Sequence, residues 1–273
     1  MIPMNARRLW PALLAGLILI AACATVPITG RKQLSIIPDS QINSMSFQQY
    51  EQVIAESKLS DDAEAVAMVK RVGQRIQLAV ETYFRQEGMS SHLNGYAWEF
   101  NLIESDQVNA WCMPGGKVAF YTGILPICQD EDGVAVVMGH EIAHAIAEHG
   151  GERMSHQLAM AMGGMALDQA MKNEPEKTRQ LYMGAFAVGA HYGAMLPYSR
   201  KHESEADHMG LNMMAMAGYD PRKAPAFWER MAAAGGAAPP EFMSTHPSDE
   251  TRIRELNARM PEAMEFYRQA GGQ

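Results

Sequence analysis

Between Val134 and Ile146 the apolar residues Val134, Val137, Met138, Ile142, Ala145 and Ile146 recur at spacings of three and four, the period of one buried helical face. Asp130, Glu131 and Asp132 load the preceding turn with charge that favours a helix N-terminus, and Gly150-Gly151 is expected to stop the run. The same pattern predicts a helix capped by Asp39 or Ser40 and running to about Glu56. Another follows from about Asp61 to Arg85, with Val66, Val72, Ile76 and Val80 along its apolar face. Tyr96 to Ile103 alternates with the period of a strand, and Pro114-Gly115-Gly116 reads as a turn between two further apolar runs. Glu152 to Tyr198 is helical and rich in small residues, broken at Asn173-Glu174-Pro175. Its second piece, Leu181 to Leu196, is too short for a convincing membrane span and reads as a core or cleft-lining helix. The fold class expected is α+β: mainly helical, with a small antiparallel sheet beside the 134–146 helix.

The N-terminus follows different rules. Arg7 and Arg8 precede an apolar run, Leu9 to Ala22, that marks residues 1–22 as a secretory signal. The run ends Ile20-Ala21-Ala22-Cys23, which resembles a bacterial lipobox and implies cleavage before Cys23 and lipid on its sulfur and new amino terminus. An ordinary signal peptide or an uncleaved anchor are the other readings. Ala24 in the next position favours the outer membrane in the lipobox reading, hence a periplasmic, lipid-anchored protein. Residues 23–38 carry Pro and Gly without helical period and read as a tether, 39–265 as one catalytic domain, and 266–273 as a flexible tail.

Of the 273 residues 47% are hydrophobic, enough for one substantial core. Net charge is −8, and loss of Arg7 and Arg8 with the leader takes it to −10, so nucleic acid is excluded as an expected partner. The 22 methionines fall mostly at helical spacings among alanines and read as core filling rather than a copper site.

Candidate chemistry sits on the 134–146 helix. His140-Glu141-Ile142-Ala143-His144 places two imidazoles four residues apart on one face, the spacing that serves a single zinc ion. Glu141 between them suits a general base that need not bind metal. Downstream, Glu203-Ser204-Glu205-Ala206-Asp207 puts Glu203 and Asp207 on one helix face, with Glu205 about 200 degrees away from Glu203. Only one of the two glutamates can face the histidines together with Asp207.

The pairing of HExxH with a distant ExxxD resembles the gluzincin peptidase family that includes HtpX, the CAAX prenyl protease and the Oma-type and BepA-type proteases. Asn109-Ala110 with Pro114-Gly115-Gly116, Thr122-Gly123-Ile124-Leu125, Ser199-Arg200, Thr245-His246-Pro247 and Arg252-Ile253 extend the resemblance over roughly residues 30–260. The resemblance implies one zinc ion held by His140, His144 and Glu203, Glu141 as the base, and Asp207 orienting a ligand imidazole. The multiple membrane spans of the HtpX and prenyl-protease branches are missing from the pattern, which favours the envelope-facing BepA-type branch. The expected activity is cleavage of misfolded or unassembled envelope polypeptides, with outer-membrane assembly machinery as a candidate partner. The rival expectation is a chaperone or assembly factor that keeps a latent site.

His246 carries three readings: a plug in the open zinc position, as the BepA-type resemblance implies; a transition-state hydrogen bond; or a helix-entry residue before Pro247 with no chemical role. His149, His156, His191, His202 and His208 are expected to be structural or exposed. If Cys23 is lipidated, Cys112 and Cys128 remain as a pair that either forms a disulfide or stays as two buried thiols.

Overall fold

The structure, a computed structural model, describes residues 23–190, 195–234, 246 and 250–272; of residues 196–198 it gives the helical backbone alone. The signal-peptide reading of residues 1–22, and His191, therefore fall outside the described residues. The helices are α1 (Asp39–Glu56), α2 (Ala63–Gln86), the short α3 (Leu125–Cys128), α4 (Glu131–Ile146), α5 (His149–Ala170), α6 (Glu176–Ala190), α7 (Leu196–Met216), α8 (Lys223–Ala234) and α9 (Glu250–Gln269). The strands are β1 (Cys23–Thr25), β2 (Lys32–Leu34), β3 (Glu99–Ile103), β4 (Ala110–Met113) and β5 (Lys117–Tyr121). This is the mainly helical α+β fold expected.

Helix α4 is the centre. It is buried nearly all round, and Asp130 caps it by accepting from the Gly133 amide at 2.9 Å. Helix α2 packs beside it through Val69, Val72, Ile76, Val80 and Phe84. Gly73 lets α2 lie directly on the sheet, since a Cβ there would come within 2.3 Å of the Phe100 ring. The first helix begins as expected at Asp39, but Pro38 holds the cap position and no side chain caps it; Asp39 instead contributes negative charge to the first turn.

The sheet has the order β3-β5-β4. Pro114-Gly115-Gly116 makes the antiparallel β4–β5 hairpin, with Ala110 opposite Phe120, while β3 runs parallel to β5. The sheet is therefore mixed, because the loop through Ser105 and Asp106 carries the chain across to the far edge instead of back along β3. That leaves β4 as an edge strand beside α4.

Three boundaries differ from the sequence reading. The stop after α4 comes at Glu148, in the left-handed region at φ 56°, and Gly150-Gly151 lie inside α5. Gly151 lies against the end of the Ile42 side chain, whose Cδ1 would be 2.8 Å from a Cβ at this position. The stretch expected as a tether contains an antiparallel hairpin, β1 with β2, that buries Val26 and Gln33 against the domain. The expected tail is helical to Gln269, and Phe266 and Tyr267 pack on the core. Cys112 and Cys128 form no disulfide, and burial pushes both thiols well above their ordinary value, so both stay protonated. No helix among the described residues is long and apolar enough to cross a membrane.

Candidate active site

Two helices build the site. Helices α4 and α7 cross where Gly139 faces Gly210, so closely that a Cβ on Gly139 would lie 2.7 Å from the Gly210 carbonyl oxygen. This close approach carries Glu203 and Asp207 of α7 to the histidines of α4.

His140 Nε2 and His144 Nε2 are 3.1 Å apart. Glu203 brings Oε2 to 3.4 Å from the first and Oε1 to 3.3 Å from the second. His246 adds its Nδ1, 3.1 Å from His140 Nε2 and 2.8 Å from Glu203 Oε2. The ligand atoms of these four residues all lie within 4.8 Å of one another. Zinc bonds of about 2.1 Å in a tetrahedron set ligand atoms about 3.4 Å apart, so the donor types and their spacing fit that ion. Three ring nitrogens converging on one point also need more than one shared proton can give. A cation satisfies them together.

Glu141 is buried beside this cluster. Its Oε1 makes no hydrogen bond among the described residues and lies 3.6 Å from His246 Nε2. An unpaired buried carboxylate oxygen is costly unless a ligand or water meets it. Burial raises the Glu141 pKa, against the pull of His246 and His140, which makes it a better proton acceptor than an exposed glutamate.

The surrounding groups fix the rings. His140 Nδ1 donates to Asp207 Oδ1 at 2.9 Å, and Arg252 donates to the same oxygen at 2.7 Å. Arg252 is itself clamped, its guanidinium 3.4 Å above the Trp228 ring and one nitrogen 3.2 Å from the His246 carbonyl. Burial opposes ionisation of Asp207, but Arg252 and His140 hold its carboxyl below the ordinary value. Burial likewise opposes charge on His140, yet bonds to Asp207 and Glu203 raise it to about 9. Glu203 is held far below the usual carboxylate range despite its burial, by bonds from His140, His144 and His246. Together these groups make a site that attracts positive charge.

A cleft of about 590 Å³ opens on the cluster. Its walls include Ala110 to Pro114 of the sheet edge, Glu141, His144, Glu203 and His246.

Residues 51–260 match Peptidase family M48. The chain belongs to peptidase family M48. Peptidases of this family are zinc-dependent. Similar M48 relatives include the mitochondrial metalloendopeptidase OMA1 of Schizosaccharomyces pombe, 35% identical over 87% of this chain and 66% of that protein. The OMA1 of Arabidopsis thaliana is 37% identical over 72% of this chain and 39% of its own length. The β-barrel assembly-enhancing protease of Escherichia coli is 30% identical over 65% of this chain and 38% of that protein. The chain thus spans from about two fifths to two thirds of these M48 proteins.

All five residues of the sequence-level site, His140, Glu141, His144, Glu203 and Asp207, meet in this M48 domain, and His246 joins them. The other histidines divide. His208 pairs with Glu262 of α9 at 2.9 Å, and His156 Nε2 is 3.7 Å from Glu152. His149 and His202 are buried and stacked, ring centroids 4.1 Å apart, and His149 touches His144 itself, Nδ1 to Nδ1 at 2.8 Å. Sequence reasoning missed this role of His149 because five residues from His144 is off the helical face. Only the left-handed Glu148 swings the ring back. It also missed Arg31, and it named Arg252 within the family resemblance without giving it a role at the site.

Proposed function

We propose that the chain is a zinc endopeptidase of the bacterial envelope that cleaves misfolded or unassembled proteins. The observation that carries the peptidase reading is the convergence of His140, His144 and Glu203 beside the unpaired Glu141 oxygen, in a cleft bordered by an edge strand. When bound, zinc supplies Lewis-acid polarisation of a scissile carbonyl and makes water easier to deprotonate. His140, His144 and Glu203 are the residues that would hold it. Glu141 takes the proton of the attacking water at Oε1 and returns it to the departing amine nitrogen. Asp207, fixed by Arg252, keeps the His140 proton on Nδ1 so that Nε2 is available as a ligand. The edge of β4 offers main-chain donors and acceptors to an extended substrate, which gives grip with little demand on sequence.

His246 Nδ1 occupies a vertex of the ligand cluster, which favours a latent resting site in which the imidazole takes the place of water. That contact also supports the second reading, an envelope chaperone with a restrained protease. An intact Glu141 favours the enzyme, since binding alone has no use for it.

The envelope part rests on the lipobox ending at Cys23, whose exposed side chain begins β1, and on the name of the Escherichia coli relative, which ties that protein to β-barrel assembly. In this reading the protein faces the periplasm, lipid-anchored at Cys23 to the outer membrane, near the assembly machinery there. Mass analysis of membrane-extracted protein tests it together with a casein digest. A diacylglycerol adduct on Cys23 and zinc-dependent casein fragments are expected. An unmodified Cys23 in a soluble pool would remove the anchor, and casein left whole by both the zinc-loaded wild type and zinc-loaded His246→Ala would remove the peptidase.

A further inference from the structure

On the side away from the ligand cluster, His144 is anchored by a chain of polar contacts that ends in the N-terminal hairpin. His144 Nδ1 lies 2.8 Å from His149 Nδ1, and His149 Nε2 lies 2.9 Å from Glu205 Oε2. Glu205 also accepts from Arg31 Nε at 2.7 Å and from the Thr29 hydroxyl. The two terminal nitrogens of Arg31 grip Glu152 at 2.9 and 2.7 Å. Arg31 and Thr29 belong to the loop between β1 and β2.

The chain of bonds has one direction. A neutral imidazole carries a single N–H. With His144 Nε2 turned to the ligand cluster, its proton sits on Nδ1 and is donated to His149 Nδ1. His149 must then keep its own proton on Nε2, and it donates that proton to Glu205. The reverse order would set an unprotonated Nε2 against a carboxylate oxygen at 2.9 Å, which is repulsive. Glu205 is thus the group that decides which nitrogen of His149 is protonated, and Arg31 is the group that holds Glu205 in place as a pure acceptor. The arrangement parallels the one on the other ligand, where Arg252 holds Asp207 against His140.

We propose that Arg31 is a positioning residue of the zinc site, acting through Glu205 and His149 to present His144 Nε2 to the metal. The inference rests on the reading of His144 as a zinc ligand. It makes the β1–β2 hairpin part of the metal centre, although the hairpin lies more than a hundred residues before His144.

Zinc affinity of the full chain, measured by competition with a chromophoric chelator, tests this alongside the melting temperature of the metal-free protein. Arg31→Met is expected to hold zinc about ten- to a hundredfold more weakly than wild type, the range for lost support of a ligand. Arg31→Lys, which retains the charge and can still reach one carboxylate, should lose less, and it decides the matter if Arg31→Met does not fold. Because both residues act on one chain of bonds, Arg31→Met combined with His149→Ala should be no weaker than His149→Ala alone. Wild-type affinity in both Arg31 variants, even with a lowered melting temperature, would reduce Arg31 to a structural contact and overturn the proposal. Additive losses would do the same. His144→Ala separates the two levels: if it keeps wild-type zinc affinity, the ligand reading beneath the proposal fails. If it loses zinc while the Arg31 variants do not, the proposal alone fails.

Discussion

Gly139 and Gly210 are in backbone contact across the α4–α7 crossing: a Cβ on Gly210 would stand 2.7 Å from the His140 amide nitrogen. The distance between these helices is the distance between the HExxH and ExxxD motifs. Neither glycine has a positive φ, so alanine is conformationally acceptable at both and the obstacle is steric.

Gly210→Ala is therefore expected to push α7 from α4 by a few tenths of an ångström or more, destabilising the protein by about 1–3 kcal/mol. Zinc affinity should fall, because His140 and His144 stay on α4 while Glu203 moves with α7. Chemical denaturation and a chelator titration check the two effects. A destabilised variant with wild-type zinc affinity would show that the crossing supports the fold without setting the site.

Acid stability should depend on Glu152. Its side chain is 1% exposed and bound by Arg31 and His202. Burial opposes its charge, but these bonds hold its carboxyl at about 2, from an ordinary 4.5. A carboxylate with a depressed folded pKa stabilises the fold fully above its unfolded value and loses that contribution as pH falls through the folded one. The window is thus pH 4.5 down to about 2, and the contribution is of order 3 kcal/mol at most. Glu152→Gln should be less stable at pH 7 and show a flatter decline across that window. A wild-type slope in the variant would mean that other carboxylates drive the acid transition.

His246→Ala distinguishes three roles for the imidazole. The latch reading expects faster cleavage of an unfolded substrate at saturating zinc, with a lower zinc affinity because one donor is gone. A transition-state role expects a loss of about ten- to a thousandfold in rate. A residue that merely enters a helix expects wild-type activity with slightly lower stability. The position of Nδ1 within the ligand cluster favours the first outcome.

The core of the site was legible because its signal is local. His140, Glu141 and His144 share one helix, and the phase of a second helix separates Glu203 and Asp207 from Glu205, which faces Thr29, Arg31 and His149 instead. The groups that support His144 were not legible. Arg31 lies in a stretch whose Pro and Gly suggested a tether, and its placement follows a turn with Ile28 and Gly30 both at φ 69°. His149 reaches His144 only through the left-handed Glu148, a conformation its residue type gives no reason to expect. The direction of β3 was hidden too, since alternation marks a strand without saying which neighbour it pairs with.

The most direct measurement is zinc content and casein cleavage on wild type and Glu141→Gln side by side, with His246→Ala as the shared background if the wild type is latent. Glu141 lies against the ligand cluster without belonging to it, so the variant is expected to hold one zinc per chain and to cleave at least about a hundredfold more slowly, the scale of a lost general base. Stoichiometric zinc with undiminished cleavage would contradict the role given to Glu141 and the mechanism built on it.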